Sequence, residues 1–275
     1  MPRTSPAPAT PGPNLHELAG RARPLSLAAE QVLEVDPAVA TVLPDRGLRC
    51  GTTVVVGDGG GQGATSLVLS LLSLPTSQGR WCGVVGLPAL GPAAAEELDV
   101  DLTHLALVPA PGRRWATVTA ALLDGLDVVV VQPPDPVRLP EARRLAARAR
   151  HRRAILVVLS SSSSPSVVAP FEAGRAPGGP DRLMGWPGPD LYLAVTRSEW
   201  HGSGTGFGHL QGRRMDVMVW GRGAAARAAH RRLWLPAPEG GARSDVSSDP
   251  DVSSDPGISS DLVRPANPVI QPAVG

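Results

Sequence analysis

The chain has 275 residues, 42% of them hydrophobic and 19% charged, with a formal net charge of +1. That is enough for one large domain or two small ones around an apolar core, and too balanced for a disordered or strongly basic chain. No apolar run approaches the ~18 residues of a membrane span, the leading MPRTSPAPATPGPN lacks the apolar centre of a secretory signal, and two cysteines, Cys50 and Cys82, fit a reduced cytoplasmic protein with buried thiols better than a disulfide framework.

Residues 1–24 are Pro/Ala-rich without periodicity and are expected to be disordered. Residues 25–236 read as one domain. It opens with a short helix from Leu25 to Val35 behind Pro24, and then alternates. Strands are expected at Thr52–Val56, Trp81–Val85, Leu105–Val108, Asp127–Val131 and Ala154–Leu159. Helices fall at Thr65–Leu74, Pro92–Leu98, Trp115–Leu123 and Pro140–Arg150. Near-continuous Val/Leu strands separated by helices predict an α/β fold: a mainly parallel sheet covered by helices on both faces. After a loop-like run from Ser160 to Pro187, Leu191–Glu199 and Arg214–Val219 read as an antiparallel hairpin on the sheet's edge, joined by WHGSGTGFGHLQG. Residues 237–275 read as a disordered Pro/Ser/Asp tail. Between Glu239 and Leu262 it holds six acids against Arg243, a balance of −5 that leaves +6 on the rest.

Between the first strand and its helix lies VVVGDGGGQGATS, the layout of a loop that holds phosphate with backbone N–H groups and a helix N-terminus. Its candidate residues are Gly57, Asp58, Gly59, Gly60, Gly61, Gln62, Gly63, Ala64, Thr65 and Ser66. Gly63 fills the last glycine position and Thr65 the magnesium-binding hydroxyl position, but Ala64 stands where the lysine belongs. Asp58 adds negative charge where phosphate would approach. All 26 Lys+Arg residues are arginine, so no other loop supplies the ammonium. A charge-assisted hydrogen bond contributes about 1.5–3 kcal/mol. Losing it together with a metal ligand weakens ATP by roughly two to four decades. The fourth strand also ends in Gln132, where such folds place a metal-steadying Asp.

The order and spacing of these segments resemble the ATPase core of the RecA family, and more closely the ImuA-type RecA-like proteins of bacterial mutagenesis cassettes. The likeness runs from about Leu43 to Leu235. GLRCGTTVVVG leads into the glycine turn, followed by WCGVVGLPALGPAAAEELDVDLTHLALVP, WATVTAALLDGLDVVVVQ and LYLAVTRSEW…GRRMDVMVWGRG. Carried over residue by residue, the family's catalytic glutamate falls near Leu87. Its lysines that reach a neighbouring subunit's nucleotide fall near Gly221 and Gly223, with Arg222 between. Its first DNA-contacting loop shrinks to a crossover between Gln132 and Ser160, and its second corresponds to Ser160–Pro187. The resemblance implies a RecA-like pseudo-ATPase without a bound ATP/Mg cofactor. It also implies a non-catalytic accessory role in SOS mutagenesis and translesion DNA synthesis, docked to an ImuB-type Y-family polymerase-like protein and through it to an error-prone DnaE-type polymerase. The alternatives are a single-stranded DNA binder or RecA modulator, and a weak NTPase completed by a partner.

The other constellations are thin. The six histidines have no metal spacing, and Ser160–Ser164 has no nucleophile elbow. EARRLAARARHRR sets Arg144, Arg148 and His151 or Arg152 on one helical face, read first as a solvated surface and second as a nucleic-acid or partner contact. Arg227, Arg231 and Arg232 with His230 form a second basic cluster near an exposed-looking Trp234. Trp81, Trp115 and Trp220 are expected in the core, while Trp186 and Trp200 beside glycine loops are candidates to stack on a partner or on bases. LVRPANPVIQP, with Leu262, Val263, Val269 and Ile270, is a candidate linear motif.

Overall fold

The computed structural model describes residues 32–58, 62–134, 137–160, 186, 188–202 and 209–245. The expected disorder at 1–24, Gly59, Gly60 and Gly61, most of the Ser160–Pro187 run and the motif at 262–270 lie outside them.

One nine-stranded sheet organises the domain. Its strands are β3 (Thr53–Asp58), β4 (Cys82–Val85), β5 (Leu105–Val108), β6 (Val128–Val131), β7 (Ile155–Leu159), β8 (Leu191–His201), β9 (Gly212–Gly221), β10 (Ala229–Trp234) and β11 (Arg243–Ser244). Their spatial order is β11-β10-β9-β8-β3-β7-β6-β4-β5. From β5 to β8 every pairing is parallel, and β8, β9, β10 and β11 pair antiparallel. This is the expected α/β architecture with a largely parallel mixed sheet and a C-terminal hairpin. β1 (Val32–Glu34) and β2 (Gly47–Arg49) form a separate antiparallel pair around α1 (Pro37–Ala40).

Strand alternation divides the core into two layers. Val54, Val56, Val128, Val130, Val157 and Leu193 face a layer packed by α2 (Ala64–Ser77) and α3 (Pro92–Glu96). Val55, Val129, Val131, Leu156, Val158 and Tyr192 face the other, packed by α4 (Trp115–Leu122) and α5 (Leu139–Arg152). Because both faces of β3, β6 and β7 are covered, their sequences are apolar throughout instead of alternating. Helix α2 runs three residues past its expected end at Leu74, through Pro75. Its buried hydroxyls turn onto their own backbone, as in Ser70 to the Leu67 carbonyl (2.8 Å) and Thr76 to the Leu72 carbonyl (2.8 Å), so the helix buries them without orphaned donors.

Several expectations need correction. Val32–Glu34 is strand instead of helix, since Leu33 enters the α2-side core while the segment pairs with Gly47–Arg49. The hairpin is not the sheet's edge: β10 and β11 extend beyond it, and the packed chain continues past 236, with Ala237 buried and its N–H on the Gly241 carbonyl (2.9 Å). Trp81 precedes its strand and is 48% exposed, against the edge of the His104 ring. Trp115, Trp220 and Cys82 are buried as expected, with burial pushing the Cys82 thiol up to about 12. Cys50 is only half-buried.

Candidate functional site

The glycine turn begins where β3 leaves the sheet's centre. Gly57 is buried on β3, and Asp58 ends that strand. Gly63 is the N-cap of α2 with φ +132°, a conformation that side chains resist. A Cβ there would lie 2.6 Å from Met215 Sδ and 3.1 Å from Arg213 Cζ. Ala64 is buried behind it, Gln62 is exposed, and Leu67 N–H makes the helix's first backbone bond, to the Gly63 carbonyl (3.0 Å). The Ala64 N–H donates to Asp58 Oδ1 at 3.0 Å. The carboxylate that the sequence places in the path of phosphate thus occupies one of the donors a phosphate would use.

Beside the turn lies a cleft of about 380 Å³ at the carboxyl ends of β3, β4 and β6, where ligands bind in open α/β sheets. The structure brings Thr65, Ser66, Leu87, Gln132 and Trp200 together on its walls, with Leu69, Leu90, Leu98 and Pro236 supplying apolar surface. Its floor is held by backbone. Gly86 has φ +81°, and a Cβ on it would meet the Gln132 carbonyl oxygen at 2.5 Å; Gln132 N–H also donates to the Val85 carbonyl (2.9 Å).

Trp200 reaches the cleft through a bulge. The β8–β9 register shifts between Val195 and Arg197, which changes which face the following residues take. Beyond it, Trp200 pairs with Arg213 and is 45% exposed, with the Arg213 guanidinium 4.9 Å over its ring. Arg213 itself is 7% exposed. Its Nε donates to the Leu235 carbonyl (2.9 Å), and its Nη2 is buried without a hydrogen-bond partner. Burial pushes its pKa down, opposed by the nearby Asp58 charge. The sequence reading missed this residue: the turn and Arg213 are far apart in the chain, and the bulge hides the face it takes.

A magnesium–triphosphate group fits these residues poorly. β6 ends in neutral Gln132, Leu87 is apolar, and Glu97 is the only acid among the cleft's described lining residues.

The remaining candidates lie elsewhere. Arg144, Arg148 and Arg152 sit on α5, with Leu145 and Ala149 buried beneath. Arg148 and Arg152 both bind Asp124, Arg152 through Nε at 3.0 Å, so this face is partly neutralised. Arg231 and Arg232 lie on strand β10, Arg227 precedes it, and Arg232 Nε pairs with Asp216 Oδ1 at 2.6 Å. Arg197, Glu199 and Arg214 continue the charge ladder across the hairpin. Trp186 is 1% exposed in the α4/α5-side core and offers no stacking platform. Trp234 is half-buried between the His201 ring (4.7 Å) and Arg243 (5.3 Å). Among the described residues no group of three His, Cys, Asp or Glu side chains could hold a metal ion, and no helix is long and apolar enough to cross a membrane.

Residues 41–164, from just after α1 through β7, match a family described as MT3502 N-terminal domain. Over 97 residues the chain is 40% identical to the uncharacterized protein Rv3395c of Mycobacterium tuberculosis (strain ATCC 25618 / H37Rv). That stretch covers 35% of this chain and 48% of Rv3395c, so the chain spans about half the length of the relative it matches. The family match contains the glycine turn, Leu87 and Gln132, and leaves the hairpin with Trp200 and Arg213 outside it.

Proposed function

We propose that this chain is a RecA-like domain of the ImuA type that works without catalysis, as an accessory docked to a Y-family polymerase-like partner in DNA damage-induced translesion synthesis. The observation that carries the reading is the bond from Ala64 N–H to Asp58 Oδ1. It sets a carboxylate at the helix N-terminus of a turn that has no lysine, next to a cleft walled by Leu87 and Gln132. A catalytic phosphate site needs cations and a positioned base there. The sheet, with a glycine turn leaving a central parallel strand and an antiparallel hairpin beside it, is compatible with the RecA-like resemblance. Arg148 and Arg152, two of the three candidates for nucleic acid on α5, share the one Asp124 carboxylate, which weakens the case for DNA as the partner. Exposed Trp81 and Leu107 stand at β4 and β5, where β5 ends the sheet, and offer apolar surface for such a contact.

The test has two arms. The full chain is expected to co-elute with the polymerase-like protein and to hydrolyse no ATP with magnesium above the blank. Failure to co-elute, or turnover that disappears in Thr65→Ala, overturns the proposal.

A further inference from the structure

We propose that residues 262–272 of this chain, LVRPANPVIQP, dock into the cleft at the carboxyl ends of β3, β4 and β6, with Arg264 at its acidic rim and the neighbouring apolar side chains on its wall. The inference concerns the chain by itself and does not rest on the docking role above. It joins two features that role leaves unused: an open, largely apolar cleft and an apolar stretch that follows a run of acids.

The cleft selects the chemistry of its occupant. Leu69, Leu87, Leu90 and Pro236 form its wall together with the exposed Trp200 ring, and a volume of about 380 Å³ takes a few side chains. Proline-rich segments dock against exposed aromatic rings of this kind. One side of the rim is acidic. Glu97 lines the cleft, with Glu96 and Asp99 close to it in sequence; all three are exposed, and none takes part in an ion pair among the described residues. Arg243 does not neutralise them, since it binds Glu239 (3.1 Å). An apolar segment with one cation therefore fits, and an acidic segment is repelled.

The fold delivers such a segment to this end of the sheet. β8 runs parallel to β3, and β9 and β10 each reverse direction, so β10 ends on the same side of the sheet as β3. Two residues beyond Trp234, Pro236 joins the cleft wall. The turn that follows lies against the rim: a Cβ on Gly241 would stand 3.0 Å from Asp99 Oδ2. Asp245 is four residues further on, at most about 14 Å from Gly241. Residues 246–261 carry Asp249, Asp251, Asp255 and Asp261 and no base, which disfavours them at the rim. From Leu262 the sign changes. Arg264 is the only charged side chain through residue 275, and Leu262, Val263, Val269 and Ile270 surround it with Pro265, Pro268 and Pro272. Leu262 lies 17 residues beyond Asp245. A linker of that length spans about 23 Å as a coil and about 55 Å stretched out, enough to return to the rim. Tethering supplies a roughly millimolar effective concentration, so a weak fit suffices to fill the cleft.

A photoreactive benzophenone side chain is placed at Asn267 in the full chain, and the illuminated product is mapped by mass spectrometry. The cross-link is expected within 87–98 or on Trp200, with a yield independent of chain concentration. Glu97→Arg and Arg264→Glu should each lower that yield about three- to tenfold, and the two together should restore most of it. Glu97 is exposed, so an unchanged unfolding midpoint confirms that Glu97→Arg leaves the fold intact. Arg231→Gln, on exposed β10, should change nothing. Absence of a cross-link to the cleft, or a yield unmoved by either charge reversal, overturns the proposal. So does a cross-link between two chains that grows with concentration, which would assign the cleft to a second copy. Co-elution with the polymerase-like protein is not read here, so the two proposals fail separately.

Discussion

Arg148 and Arg152 on α5 and Arg213 on β9 are the same side chain in opposite circumstances. The α5 pair is exposed and shares one carboxylate, Asp124, across the α4–α5 surface. Arg213 is buried and leaves one nitrogen unused beside a helix N-terminus. In sequence the first pair stands out as a candidate contact, second to a solvated surface, and the last is one basic residue among many. Burial and partners reverse that ranking. An arginine-rich composition says little about where cationic chemistry is available, because most surface arginines are matched by nearby acids or by water.

The contrast is most sharply broken by reversing the buried charge. Arg213→Glu sets a second carboxylate beside Asp58 and removes the donor to Leu235, and is expected to cost about 3–5 kcal/mol, read from the urea midpoint. Arg213→Gln should cost less, about 1–3 kcal/mol, mainly for the Leu235 carbonyl it leaves unbonded. A loss for Arg213→Glu no larger than that for an exposed arginine would show that Arg213 is solvated and would remove the contrast.

Next in size is the turn that Arg213 supports. Gly63→Ala forces a side chain into φ +132° against Met215, and should cost about 1–3 kcal/mol. Gly91, the N-cap of α3, has φ −81° and nothing within 4 Å of a Cβ. Gly91→Ala should therefore stay within about 0.5 kcal/mol of the native chain. Equal losses at the two sites would mean that the Gly63–Met215–Arg213 packing does not hold in solution.

The smallest effect belongs to the exposed pair. The hydrogen bond from Arg148, then the charges of Arg148 and Arg152, hold the Asp124 carboxyl below its ordinary value near 3.8. A carboxyl depressed in the folded state adds stability that is present above its unfolded value and is lost as pH falls through its folded one. Asp124→Asn should lower the unfolding midpoint slightly at neutral pH, less so in added salt, and the difference from the native chain should close as pH falls below 3.8. A large loss at neutral pH would show that the α5 pair matters more than its exposure allows.

The parallel half of the molecule was legible because its strands are buried on both faces. Val54–Val56, Val128–Val131 and Ile155–Leu159 are continuous apolar runs, and their helices carry apolar residues at helical spacing. The hairpin half was harder. On β10 only Leu233 is fully buried, and His230, Arg231 and Arg232 face outward, so strand alternation is hidden under charge. Val32–Glu34 is three residues long, and its strand character comes from pairing with a distant segment. At the site, Leu87 came from the family resemblance, and Ala64 and Gln132 were readable because motif spacing is local. Arg213 was not, because its place depends on a register shift in β8 and on the contact of β9 with α2. Trp186 follows the same logic: glycines surround it in sequence, while the fold buries it.

The pinned floor of the cleft has a consequence for the charge of its wall. Position 132 is fixed by its main chain, through Val85 and the closely approaching Gly86, so its side chain can be exchanged without re-siting the backbone. Aspartate is one methylene shorter than glutamine, so Gln132→Asp would present a carboxylate from the same backbone position, set further back from the cleft. The side chain at 132 therefore sets the charge of the cleft's wall on its own, and the backbone that carries it stays where Val85 and Gly86 hold it.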